Sequence, residues 1–264
     1  MRRSRLAAYV STLLLAVAAV LTGTGTAHAA TAPYVALGDS YSSGVGAGSY
    51  ISSSGDCKQS TKAYPYLWAA AHSPSSFSFK ACSGARTGDV LANQLGTLTT
   101  STGLVSISIG GNDAGFSDVM TTCVLQSDSA CLSRINTAKA YADSTLPGQL
   151  DNVYSAISGK APNAHVVVLG YPRFYKLGTT CVGLSETKRK AINDAADYLD
   201  TATAKVAADH GFTFGDVRST FTGHELCSGS AWLHSLNLLN IGESYHPTAS
   251  GQSGGYLPVL TSAA

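Results

Sequence analysis

Short apolar runs that stop at small polar residues recur along this chain, and between them lie stretches whose apolar positions step by three and four. The first run, Tyr34-Val35-Ala36-Leu37, ends at Gly38-Asp39-Ser40 and reads as a buried strand delivering a polar loop to the edge of a sheet. Residues 77–81, 104–109, 165–169 and 212–217 read as four more strands, the run at 165–169 being the clearest because it is β-branched and closes on Gly170-Tyr171-Pro172. Helices are expected over 63–72, 89–95 and 132–158, over 185–209, and from Thr248 to the end. In the third of these Leu150, Val153 and Ile157 keep helical spacing, Pro147 restarts or kinks the helix, and Gly159 suits a stop. In the fourth, Ile192, Ala195, Leu199, Ala202 and Val206 form one apolar face. Strands and helices taking turns predict an α/β fold, a three-layer αβα sandwich around a mainly parallel five-stranded sheet. No repeat or linker interrupts residues 30–264, so one domain is expected there.

Composition sharpens this picture in three ways. With 264 residues, 44% hydrophobic and 12% charged, the chain can bury a full core and is not a disordered sequence. Residues 1–29 read as a secretory signal: Arg2, Arg3 and Arg5, an apolar run, then Ala27-His28-Ala29 as a cleavage site. Arg2-Arg3 alone does not decide between general and twin-arginine export. Losing those three arginines takes the formal charge from +1 to about −2, which makes nucleic acid an improbable partner. Cys57, Cys82, Cys123, Cys131, Cys181 and Cys227 all follow the signal, an even set in an exported chain, so three disulfides are expected. No spacing among them suits zinc, and a metal site is not expected.

The candidate chemistry lies where the strands end. Ser40 is a candidate nucleophile, although a serine after Gly-Asp is also an ordinary helix cap. Ester cleavage by serine needs a base for Oγ and N–H donors for the oxyanion. The Ser40 N–H, the Gly84 N–H and the Asn112 side-chain amide can supply three donors if their loops converge. Taken singly, Gly84 reads as a turn residue and Asn112 as a turn former within Gly110-Gly111-Asn112-Asp113. Among the histidines, His165 opens a strand and His72 and His210 end helices, leaving His224, His234 and His246 in the late loops. Gly251-Gln252-Ser253-Gly254-Gly255 fits the nucleophile elbow of α/β-hydrolases, but no strand precedes it and no histidine follows it. Tyr64, Tyr66, Trp68, Tyr171, Phe174 and Tyr175 are candidates for an acyl groove. Arg173 reads equally as a structural ion-pair partner.

Gly38-Asp39-Ser40, Gly84, Gly110-Gly111-Asn112-Asp113 and His246 occur in the order of the four blocks of the SGNH, or GDSL, hydrolase superfamily, and the chain resembles its secreted actinomycete lipases and esterases over residues 30–264. That resemblance implies a flavodoxin-like sheet, Ser40 as nucleophile, Ser40, Gly84 and Asn112 as oxyanion donors, and His246 as base. It also implies disulfides Cys57–Cys82, Cys123–Cys131 and Cys181–Cys227. The last block departs from the usual Asp-x-x-His, since Glu243 stands where the acid belongs. Either Glu243 or a main-chain carbonyl just before His246 then orients the imidazole, and the carbonyl is the preferred reading. The expectation is a secreted, cofactor-free, monomeric serine hydrolase of fatty acyl esters that works through an acyl-Ser40 intermediate and has no stable membrane insertion. A phospholipase A activity, a carbohydrate acetyl esterase, and a noncatalytic binding module on the same scaffold are the alternatives.

Overall fold

The computed structural model describes residues 31–264, so the expected signal at 1–29 and its export route lie outside the described residues. Strands β1 (Tyr34–Gly38), β2 (Phe77–Phe79), β3 (Leu104–Ser108), β4 (His165–Leu169) and β5 (Thr213–Gly215) form one sheet in the order β2-β1-β3-β4-β5. Every pairing is parallel, from Tyr34 opposite Leu104 to Leu169 opposite Gly215. A parallel sheet must be covered on both faces, and β1 shows how: Val35 and Leu37 join one apolar cluster, Tyr34 and Ala36 the other. In β3, by contrast, Val105 and Ile107 face the core while Ser106 and Ser108 are buried on the opposite face. Buried hydroxyls are tolerated only when partnered. Ser106 Oγ hydrogen-bonds Tyr34 Oη at 2.6 Å, and Ser108 is used by the site.

One face of the sheet is covered by α2 (Tyr64–His72), α4 (Phe116–Leu125) and the chain end, the other by α6 (Leu146–Lys160), while α5 (Asp128–Ser144) and α7 (Glu186–Asp209) contribute to both clusters. Two short helical turns, α1 (Ser40–Ser43) and α3 (Thr87–Asp89), follow β1 and β2. The helical region expected at 132–158 is two helices, and Pro147 lies in the first turn of α6, where its missing N–H costs nothing. Gly159 does not stop α6, which runs on to Lys160, with the Ala161 N–H still bonded to Ile157 O at 2.8 Å. Helix α4 was not expected from the sequence. The final helix follows Thr248, passes through a wide π turn (Gly251–Tyr256) and finishes as α8 (Leu257–Ala263). The elbow-like glycines belong to that turn. A β-carbon on Gly254 would stand 2.5 Å from the Trp232 ring and one on Gly255 2.1 Å from Phe221, so they are packing glycines, and Ser253 is exposed.

The cysteines pair as the resemblance implied, Cys57–Cys82, Cys123–Cys131 and Cys181–Cys227. The first ties the loop after α1 to the loop after β2, and the second ties α4 to α5. In this strand order the direction of winding reverses between β1 and β3, and ligands bind at the carboxyl ends of strands flanking such a point. Ser40 follows β1 and Asn112 follows β3.

Candidate active site

The loop that carries Ser40 is built by a cap. Asp39 has extended backbone, and its Oδ1 accepts the Tyr41 N–H at 3.0 Å, starting α1 at Ser40. First-turn N–H groups have no acceptor within their own helix, so the Ser40 N–H is among those left for another partner. Asp39 does more than cap. It is 1% exposed, and it also accepts from Ser108 Oγ at 2.8 Å and from Tyr171 Oη. Burial pushes its carboxyl up to about 6, against the pull of those hydrogen bonds. Tyr171 Oη in turn accepts the Gly111 N–H at 3.2 Å, so one phenol couples the loop after β1 to the loop after β3.

Two further bonds draw together the loops that carry Gly84 and Asn112. Asn112 Nδ2 donates to Ala85 O at 3.0 Å, and the Asp113 carboxylate accepts from the Thr87 N–H and hydroxyl, the latter at 2.6 Å. Gly84 has φ +76, in the left-handed region that favours glycine, and a β-carbon there would meet no atom within 4 Å. Asn112 lines the same cleft as Ser40, while Gly84 lies beside it on the adjoining loop, one residue before Ala85.

His246 arrives from the other end of the chain. Its Nε2 lies 2.7 Å from Ser40 Oγ and its Nδ1 3.1 Å from Ser244 O, so the backbone carbonyl holds the tautomer with a free Nε2. Glu243 points elsewhere, accepting from Tyr50 Oη at 2.6 Å. Between them Tyr245 is buried with φ 66, an uncommon conformation for a bulky residue, held by its N–H on His234 O and its carbonyl on Tyr41 Oη at 2.7 Å. Burial is the main cause that pushes the His246 imidazole down to about 4, with His234 and Lys58 adding to it. The other late-loop histidines are engaged: His234 Nε2 with Gly46 O at 2.8 Å, and His224 stacked on Trp232 with Nδ1 at 2.8 Å from Ser230 O.

From Ser40 a cleft of about 740 Å³, mouth included, runs between the helices. Its walls are apolar: Phe116, Val119 and Met120 from α4, Ala138 and Ala142 from α5, and Ile192 and Leu199 with neighbouring alanines from α7. Of the aromatics proposed from the sequence, only Tyr171 and Phe174 line it. Tyr64 is stacked on Tyr256 in the core, Trp68 packs on Tyr34 and His72, and Tyr175 and Tyr66 lie off the cleft. Arg173 is paired with Asp197 at 2.8 Å and is a structural ion-pair partner. The cleft walls were missed in sequence because they rest on alanines: Ala138 and Ala142, four apart on α5, leave room opposite α7. Among the described residues, no three side chains of His, Cys, Asp or Glu gather as metal ligands.

With this geometry in hand, comparison with known proteins is informative. The model of the GDSL-like Lipase/Acylhydrolase family matches residues 36–253. Lipase 1 of Streptomyces coelicolor is 78% identical over 268 residues, covering 100% of both chains. Among solved structures, phospholipase A1 from Streptomyces albidoflavus NA297 superposes with a TM-score of 0.88 at 67% identity, over 89% of this chain and 100% of that one. An extracellular lipase from Streptomyces rimosus gives 0.87 at 68% identity with the same coverage.

Proposed function

The chain belongs to the GDSL-like lipase/acylhydrolase family and is a carboxylic ester hydrolase; from that premise we propose that it cleaves fatty acyl esters by double displacement on Ser40. The observation that carries this reading is the 2.7 Å contact between His246 Nε2 and Ser40 Oγ at the head of an apolar cleft. His246 takes the Ser40 proton as Oγ attacks the ester carbonyl, and the negative charge forms on the former carbonyl oxygen. The Ser40 and Gly84 N–H groups and the Asn112 amide stabilise that oxygen. His246 then gives the proton to the departing alcohol, leaving acyl-Ser40. Water repeats the sequence: it loses a proton to His246, attacks the acyl carbon, and the proton returns to Ser40 as the fatty acid leaves. Ser244 O, which cannot ionise, orients the base throughout.

A series of p-nitrophenyl esters from acetate to palmitate, run beside Ser40→Ala, tests the reading. Activity extending to medium and long chains is expected, as is loss of both turnover and organophosphonate labelling in Ser40→Ala. Activity confined to acetate would instead indicate carbohydrate deacetylation, and no labelling of the wild type would indicate a binding module. A phospholipase A1 reading draws on the Streptomyces albidoflavus relative, and phosphatidylcholine with distinguishable acyl chains at its two positions tests it. Export is also part of the proposal, drawn from the leader-like residues 1–29, the three disulfides and the extracellular relative. Among the described residues no helix is long and apolar enough to cross a membrane.

The depressed imidazole sets the pH dependence. Only neutral His246 can accept the Ser40 proton, and its folded value lies below the ordinary 6.5 at about 4. The acid limb of kcat/KM is therefore expected near pH 4, with activity retained at pH 5. Asp39, which takes up its proton near pH 6, is not the acceptor, so Asp39→Asn should leave that limb in place. A limb near 6.5 in both proteins would mean a solvated, ordinary histidine and would count against the proposed geometry.

A further inference from the structure

On its approach to His246 the chain runs from Ser235 to Gly242 without a charged side chain. Within it Leu238, Leu239 and Ile241 are 81%, 100% and 62% exposed, and Leu236 38%. Single exposed leucines need no explanation, but four aliphatic side chains in six residues make a patch. The loop that presents them is not slack. The Asn237 N–H donates to Ser244 Oγ at 2.9 Å, and Asn237 Oδ1 accepts the N–H groups of Leu239 at 3.0 Å and Asn240 at 3.3 Å. The Glu243 N–H returns to Asn240 O and the Ser244 N–H to Ile241 O, both at 3.1 Å. Hydrogen bonds thus hold leucines out in water: of the six backbone N–H groups at 236–241, those of Asn237, Leu239 and Asn240 are bonded within the loop.

The flanks of the loop match such a patch. Tyr50, 37% exposed, is fixed by its hydroxyl between Glu243 and the Gly46 N–H. Lys58 Nζ lies 3.5 Å from where a Gly242 β-carbon would stand. An amphipathic ring and a cation are the side chains found at headgroup level, beside apolar groups that go deeper. Four side chains present far less than the roughly 800 Å² that each partner brings to a stable protein interface, so a second copy of this chain is a poor fit.

We infer that the tip at 236–241 is an interfacial anchor, inserting its leucines into the surface of aggregated ester lipid while Tyr50 and Lys58 sit among the headgroups. The inference rests on the lipid-ester reading above, and it extends that reading from the cleft to the surface on which the cleft works. Since Ser244 closes the loop and its carbonyl holds His246 Nδ1, the anchor adjoins the site.

The test separates binding from turnover by using Ser40→Ala protein and vesicles of phosphatidylcholine with phosphatidylglycerol, with the bound fraction measured by flotation. Adding Leu238→Ser and Leu239→Ser should lower partition at least tenfold. In the active background the same pair should leave kcat/KM on monomeric p-nitrophenyl butyrate within twofold, which also reports an intact fold, while lowering the rate on vesicles. Unchanged partition would overturn the anchor, as would equal losses on monomeric and vesicular substrate. So would a dimer that the double substitution dissociates. Partition that drops as expected in a protein that cleaves no ester would support the anchor and sink the hydrolase reading alone.

Discussion

His246→Ala is expected to lower kcat on p-nitrophenyl butyrate by about 10⁶-fold, the scale seen when the histidine of a serine-hydrolase constellation is removed. Glu243→Ala should retain at least a third of the activity. The contrast follows from what each side chain touches. Only the imidazole reaches Ser40 Oγ, at 2.7 Å, and without it the hydroxyl must give up its proton to water. Glu243 is occupied by Tyr50, and the imidazole's other nitrogen is held by Ser244 O. Unchanged far-UV circular dichroism would show that both variants fold. Equal losses would mean that Glu243 swings onto Nδ1 in the working enzyme, restoring an acid-based triad and removing the carbonyl from its role.

Asn112→Ala is expected to lower kcat by about 10² to 10³, the range for deleting one oxyanion donor, with KM nearly unchanged. One amide hydrogen of Asn112 is spent on Ala85 O, which fixes the side chain and leaves the second for the cleft. Asn112→Asp should be worse than Asn112→Ala, because a carboxylate of the same shape sets a charge against the developing oxyanion. Steady-state kinetics separate the cases. A loss confined to KM would make Asn112 a binding group, and a loss below tenfold would leave the Ser40 and Gly84 N–H groups as the working donors.

What the sequence reveals of this molecule is mostly what ends abruptly. β1, β3 and β4 announce themselves because buried parallel strands are apolar and stop at small residues, and those stops carry Ser40 and Asn112. Gly84, Asn112 and His246 became legible through the resemblance to the family's four ordered blocks, since residue chemistry alone left His224, His234 and His246 open. Helix α4 does not, since Phe116–Leu125 holds Thr121, Thr122, Cys123 and Val124, all middling helix formers. It is kept by packing in the core and by the Cys123–Cys131 bridge. The aromatic groove was misread for the opposite reason. Large rings such as Tyr64 and Trp68 gain more by filling the core, whereas an acyl chain needs absence of volume, which alanines supply and which no motif advertises. The buried Asp39–Tyr171–Gly111 link was equally silent, because nothing in the spacing of these three residues along the chain joins them, and the sequence offered Ser40 rather than Asp39 as the cap.

The partner of His246 Nδ1 is a peptide oxygen, and every amino acid but none in particular carries one. No codon change at position 244 can delete that atom. Evolution can break the arrangement only by bending the chain, so heritable damage here should fall on whatever keeps Tyr245 in its unusual turn rather than on a third catalytic side chain. A contact of this kind is hidden from any survey that counts acids.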